Sequence, residues 1–195
     1  KMRRSLKARL DELNRLLLVS QGVASSLEID VAVEPILESA LTVGASSARI
    51  VLAMDIVPEG RKLDDIPVRY GQGKLTRQYS YFDDQMLALM AEKDQSRIIF
   101  SEADRALFQL EPHAPRLESG IVIALRHENL YLGVLWVGYD YPHNFTEQEI
   151  QFLSTLAGQA GLAITNARLF MTAEFERERL AAILTSTPDP VLVTE

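Results

Sequence analysis

The sequence contains no cysteine. That excludes disulfides, thiolate metal sites, cysteine nucleophiles and any cofactor tethered through sulfur. Long apolar runs are also missing. The longest, Leu130 to Gly138, is far short of the roughly 20 residues that cross a bilayer, and no signal-peptide pattern opens the chain. Basic charge is in deficit: 20 Lys and Arg against 27 Asp and Glu give a net charge of −7. A compact acidic domain is a poor general binder of nucleic acid, because such binding needs basic charge against phosphate. What remains is a chain of 195 residues, 47% apolar and 24% charged. This is one large domain, or one ordinary domain with extensions, and it is long enough to bury about 70% of its unfolded surface. It begins at Lys1 and ends just after Val191-Leu192-Val193. The expectation is a piece of a longer protein.

Leu6, Leu10, Leu13 and Leu17 step by 4, 3 and 4 among charged residues. This stripe on a first helix is narrow enough for a two-helix seam. Gly22, Ser25 and Ser26 break it. A second helix is expected from about Asp30, which can cap it, to about Gly44, with Val33, Ile36, Leu37, Ala40 and Leu41 as its apolar face. Strands follow at Ala48 to Ile56 and Ile66 to Tyr70, the second closed by Gly71 and Gly73. A helix is expected over 84–93 and a brief strand at Ile98 to Phe100. Ser101 to Arg116 is mixed.

Ile121 to Arg126 and Leu130 to Tyr139 form a hairpin around His127-Glu128-Asn129. Both strands are apolar at nearly every position, so both faces of the sheet are covered and the sheet is a middle layer. Thr146 and Glu149 form a capping box. The helix it opens runs to about Leu184, over 35 residues or roughly 55 Å. It outruns the domain, and its charged section Glu174 to Arg179 projects from the body. Ser186-Thr187-Pro188-Asp189-Pro190 ends it.

Gly133-Val134-Leu135 on the last strand, then Phe145-Thr146-x-x-Glu149, then Leu153-x-x-Leu156-Ala157, resemble the closing signature of the GAF domain family. Asn166-Ala167-Arg168-Leu169-Phe170 and the opening Leu27-Glu28-x-Asp30 fit as well, and the resemblance spans roughly residues 12–172. Arg179-Leu180-x-x-Ile183-Leu184-x-Ser186-x-Pro188-Asp189-x-Val191-Leu192-Val193 resembles the entry to a PAS domain, a junction found in bacterial multidomain sensor kinases. The resemblance implies an α+β fold in α/β/α layers. Its central antiparallel sheet has five to six strands, terminal helices on one face, and short helices and loops forming a ligand chamber on the other. The implied organisation is a signalling or dimerisation helix over 1–20, a GAF domain over 21–172, a linker helix over 173–186 and the start of a PAS-like domain over 187–195.

GAF domains bind cyclic nucleotides, haem, tetrapyrroles or small metabolites, or bind nothing and serve as dimer scaffolds, and the fold does not choose among these. Where the cyclic-nucleotide subset has an Asn-Lys pair, this chain has Gly138-Tyr139, so cyclic nucleotides are not expected. A covalent bilin and methionine sulfoxide reduction both need Cys. His113, His127 and His143 fall in loops, where solvated side chains are expected rather than haem or metal ligands. At most, His143 and Asp140 hold a cation loosely. Gly71-x-Gly73-Lys74 reads as a turn rather than a phosphate loop. No Ser-His-Asp set, paired carboxylates or other catalytic constellation stands out.

Aromatics cluster from Tyr70 to Phe108, the region that covers one face of the sheet in the family. Tyr70, Tyr81, Phe100 and Phe108 are the candidate ligand-binding residues; plain core packing is the other reading. Arg97 and Arg105 flank the segment, either to meet an anionic group or simply solvated. Residues 1–9 hold five Lys and Arg and no acid, a solvated helix end or a segment against anionic lipid. The identity of any cofactor or ligand is not legible.

The resulting expectation is a non-catalytic sensory module. It would bind a small molecule, or relay an upstream signal through the long helix. The alternative is a non-sensing dimerisation spacer of the same fold. The expected partners are a second copy and adjacent signalling domains of the same chain, with no nucleic acid and no membrane insertion by this part. Leu6, Leu10, Leu13, Leu17, Leu153, Ala160, Ala167 and Phe170 are assigned to the dimer seam. The expected location is the cytoplasm, with the full-length protein free to be membrane-tethered.

Overall fold

The computed structural model describes residues 29–53, 69–91, 96–101, 103–104, 114–128 and 130–186, the side chains as far as Ile183. Within these, α1 (Ile29–Leu41) leads to β1 (Ser47–Leu52) and β2 (Arg69–Gln72). The short α2 (Thr76–Tyr79), a 3-10 turn (Ser80–Phe82) and α3 (Asp83–Ala91) follow. Then come β3 (Arg97–Ser101), the hairpin β4 (Ser119–His127) and β5 (Leu130–Tyr139), and the 40-residue α4 (Glu147–Ser186). The five strands form one open, wholly antiparallel sheet in the order β2-β1-β5-β4-β3. The fold is the expected three-layer α+β arrangement.

The hairpin forms where the unbroken apolar pattern put it, and burial along β4 and β5 is near complete on both faces. Leu132, Leu135, Val137 and Tyr139 face α1 and α4, while Val134 and Trp136 face the other way. The alternation slips between Leu132 and Val134. There Gly133 sits at φ +142° against the Val51 carbonyl, a combination open only to glycine. The slip is a bulge, and the β4–β5 register shifts across it.

The first face packs α1 and the front half of α4 against the sheet through Val33, Ile36, Leu37, Ala40, Leu153, Leu156, Ala160, Ala163 and Ala167. Alanines along α4 let it approach closely. Asp30 lies in the first turn of α1, where its charge favours the helix N-terminus, and α1 stops at Leu41 rather than Gly44. The second face carries Tyr79, Phe82, Met86, Met90, Phe100 and Trp136.

The capping box forms as the sequence indicates. The Thr146 N–H donates to Glu149 Oε2 at 2.7 Å, and the Glu149 N–H donates to Thr146 Oγ1 at 3.2 Å. From there α4 runs without interruption past Gly158 and Gly161, about 60 Å for its 40 residues. Its far section is solvent-exposed, and Arg177 pairs with Glu174 at 2.9 Å and Arg179 with Glu176 at 3.8 Å.

Four expectations change. The second strand is Arg69–Gln72, so Gly71 lies inside it instead of closing it. The segment from Thr76 to Phe82 is helical and was not foreseen. Leu153, Ala160 and Ala167 are buried against their own domain. They are therefore not free for a dimer seam, because α4 turns its alanine face to the sheet. His143 is not a solvated loop side chain: it stacks on Tyr139 with ring centroids 4.2 Å apart. The helix and seam positions Leu6, Leu10, Leu13 and Leu17, and the PAS-like tail over 187–195, lie outside the described residues.

Candidate functional site

Arg49 is the one charged residue in β1, and its position on the strand turns it toward the second face of the sheet. A lone guanidinium there needs partners, since an unpaired buried charge is costly. It finds all of them in the short helical layer. Nε donates to Asp83 Oδ1 at 2.6 Å and Nη2 to Asp83 Oδ2 at 2.5 Å, a two-pronged pair. Nη1 donates to the Thr76 carbonyl and to Thr76 Oγ1, both at 2.7 Å. Trp136 completes the set from β5, its Nε1–H donating to Asp83 Oδ1 at 3.1 Å. The Arg49 and Asp83 side chains are 6% and 1% exposed. Asp83 is the first residue of α3, so the helix N-terminus adds its own favourable field.

Aromatic side chains wall this cluster. Tyr79 stacks on Trp136 at 5.9 Å and 19°, and Phe82 meets both edge-on. The Tyr79 hydroxyl donates to the Arg116 carbonyl at 2.9 Å. Burial pushes the Tyr79 phenol well above its ordinary range, with Asp140 and Glu118 adding to the effect.

Two shallow clefts open on the described surface, one beside the layer and one on the α1 side of the sheet. One, of about 470 Å³, is lined by Leu75, Gln78, Pro115, Arg116 and Asp140. Asp140 accepts from Ser46 Oγ and lies 3.3 Å from Lys74 Nζ. The Ser46 hydroxyl, helped by Lys74, holds its carboxyl below the usual range. The other cleft, about 370 Å³, runs between α1 and β2 past Asp30, Glu34, Arg69 and Tyr70.

The three described aromatic candidates, Tyr70, Tyr81 and Phe100, are not brought together. Phe100 lies in the second-face core. Tyr70 pairs with Ile50 across β1–β2 and packs on the opposite, first face. Burial, with Asp30 nearby, raises its phenol to about 12. Tyr81 is 36% exposed and touches the layer edge-on at Phe82. Phe108 lies outside the described residues, as do Arg105 and His113, and Arg97 is exposed on β3. The chamber grouping thus fails for Tyr70, because the register of β2 sends it to the other side of the sheet. The sequence reading missed Arg49, Thr76, Asp83 and Trp136. The signal for Arg49 was present, as a lone charge inside an otherwise apolar strand.

His143 and Asp140 do not form a cation site. Asp140 is taken by Ser46 and Lys74, while His143 Nε2 lies 3.2 Å from Glu149 Oε1 without the alignment of a hydrogen bond. No cluster of three His, Asp or Glu suited to a metal occurs among the described residues. None of their helices is long and apolar enough to cross a membrane.

Residues 26–165 match a family model described as GAF domain. The structure superposes on the GAF domain from an Acinetobacter phosphoenolpyruvate-protein phosphotransferase with a TM-score of 0.58 and 15% identity, covering 80% of this chain and 94% of that one. A GAF domain from Pseudomonas syringae pv. tomato, of a protein assigned as a sensor histidine kinase, gives 0.59 and 15% over 91% and 99%. The phycocyanobilin-bound GAF domain from a cyanobacterial phytochrome gives 0.55 and 15% over 81% and 96%. At these identities the likeness is one of fold. No curated protein matches the chain.

Proposed function

Because this chain belongs to the GAF domain family, we propose that it is a sensory or regulatory module of a signal-transduction protein, with α4 as its output lever. The observation that carries this is the division of α4. Its first half, from Ile150 to Ala167, is built into the first-face core. Beyond Ala167 the described side chains are exposed or only half-buried, and the charged section is held by its own i,i+3 pairs. A displacement of the sheet therefore has a rigid element to act on, and that element continues beyond the layers. Two of the similar folds come from proteins named as a sensor histidine kinase and a phytochrome, which supports a signalling context. A PAS-like domain following residue 187 fits the same context.

The module acts as a homodimer through the outer face of α4. Leu162, Leu169 and Leu180 are 46%, 64% and 59% exposed. With Asn166, Ala173 and Glu176 between them they keep one 3-4 phase past the end of the body, the geometry of a two-helix seam with a second copy. Phe170 flanks the stripe. Light scattering at tens of micromolar is expected to give a dimer that Leu169→Glu with Leu180→Glu splits. An unaltered mass would remove the seam.

The test of the lever is helical phase. One residue inserted after Thr172 turns the rest of α4 by about 100°, while seven nearly restore it. In the full-length protein one residue is expected to change basal output strongly and seven to leave it near normal, since packed helices switch between discrete arrangements. Equal output from both would make α4 a passive tether. The non-sensing spacer would then be the better reading, and the full burial of Tyr79, Phe82 and Trp136 already fits it.

A further inference from the structure

The Asp83 carboxylate occupies a receptor made by the rest of the chain. Three donors from two strands converge on it: Arg49 Nε, Arg49 Nη2 and Trp136 Nε1. Thr76 fixes the remaining arm of the guanidinium. Beside it lies a flat apolar wall, Tyr79 stacked on Trp136. The polar donors belong to the sheet, which is the fixed layer. The carboxylate belongs to α3, a nine-residue helix seated on that sheet through Met86 and Met90, with Phe82 of the preceding 3-10 turn beside them. Lifting α3 without replacement would strand a buried guanidinium, which is strongly unfavourable. Exchange avoids this. If another carboxylate takes the three donors as Asp83 leaves, the guanidinium stays paired throughout and Asp83 gains water.

We propose that Arg49 and Trp136 form a binding site for a small organic carboxylate on a flat apolar body, and that Asp83 is its built-in competitor, so ligand binding and release of α3 from the sheet are one event. The fork of a guanidinium matches a carboxylate with two parallel hydrogen bonds, and a lone amine or neutral ring offers no equivalent. The site deepens the sensory reading above and rests on it for its physiological meaning. It supplies the ligand class and the element that moves.

The test uses the 195-residue chain and sodium benzoate, with benzamide as the neutral isostere and sodium chloride to match ionic strength. Trp136 is the only tryptophan, so its emission reports the site directly. Hydrogen exchange over 76–91 reports the seating of α2 and α3. Benzoate is expected to change the emission saturably and to speed exchange over 76–91 several-fold, with β4 and β5 unaltered. Benzamide and chloride should do neither.

Asp83→Ala removes the competitor and is expected to bind benzoate about tenfold more tightly or better, since the competent state no longer has to be populated against it. Arg49→Met with Asp83→Leu, apolar at both positions, is expected to fold and to ignore benzoate. The proposal is overturned if benzoate does no more than benzamide in the unaltered chain, if Asp83→Ala leaves the affinity unchanged, or if the apolar double variant responds as the unaltered chain does. Should Asp83→Ala not fold, the unaltered chain and the double variant carry the test by themselves. Failure here leaves the α4 lever standing, because the insertions probe a different element.

Discussion

On the face covered by α1 and α4, the buried side chains are almost all Ile, Val, Leu and Ala. On the face covered by α2, the 3-10 turn and α3, four aliphatic residues, Val51, Leu117, Val122 and Val134, share the core with Tyr79, Phe82, Phe100, Trp136 and two methionines, gathered beside an ion pair. The first face joins long helices through many small, stiff contacts, with alanines bringing α4 close. Such packing has one good arrangement. The second joins very short helices through large rings, adaptable thioethers and a directional charge pair. Methionine fills irregular space and tolerates change, while the pair fixes where the layer sits. One sheet thus carries a permanent joint on one side and a positioned, replaceable one on the other.

Four single substitutions and one double variant sharpen this contrast, and urea unfolding followed by circular dichroism reads them all. Asp83→Asn keeps the shape but leaves Arg49 buried beside a neutral amide, and the expected loss is about 3–5 kcal/mol. The apolar pair Arg49→Met with Asp83→Leu should recover nearly all of it. A small cost for the single change would mean that the pair does not seat the layer. Next, Leu156→Ala on the first face empties a fully buried site between α4 and the sheet, for about 3 kcal/mol. Trp136→Phe keeps an aromatic side chain but removes the donor to Asp83 and the five-membered part of the buried indole, for about 2 kcal/mol or somewhat more. Smallest is Met86→Leu, a change of similar volume in the adaptable face, which should cost below about 1.5 kcal/mol. If Met86→Leu proved as costly as Leu156→Ala, the second face would be as rigid as the first.

What the sequence disclosed followed the range of its signals. The hairpin, the capping box and the unbroken α4 are local patterns, and each formed within a residue or two of its expected place. The helix over Thr76 to Phe82 is invisible in the sequence because four residues of α2 and three of 3-10 turn make about one turn each, too short for an apolar period to repeat. The Arg49–Asp83 pair spans 34 positions, and nothing near either residue names the other. Tyr70 went to the wrong face because facing depends on strand parity: one residue of register in β2 exchanges the two sides of the sheet. The alanine stripe on α4 was read as a seam between copies, since an apolar stripe at helical spacing does not say whether a sheet or a second helix covers it. The outer leucines at 162, 169 and 180 share the same periodicity on the opposite side.

Gly71 lies inside β2, at the point where a side chain would run into Arg49 Nη1 and Thr76 Oγ1. It has no unusual backbone to support. It is glycine because two other residues already occupy the space its side chain would take. Its tolerance is therefore conditional. In a saturation scan position 71 should reject even alanine, and would look like an ordinary turn glycine. Repeated in an Arg49→Ala, Thr76→Ala, Asp83→Leu background, which leaves no buried carboxylate unpaired, the same scan should accept alanine and serine there. The three positions therefore form one unit of inheritance. A lineage can change residue 71 only after residues 49 and 76 have moved, and a chain that has lost the guanidinium loses with it the constraint that kept the glycine.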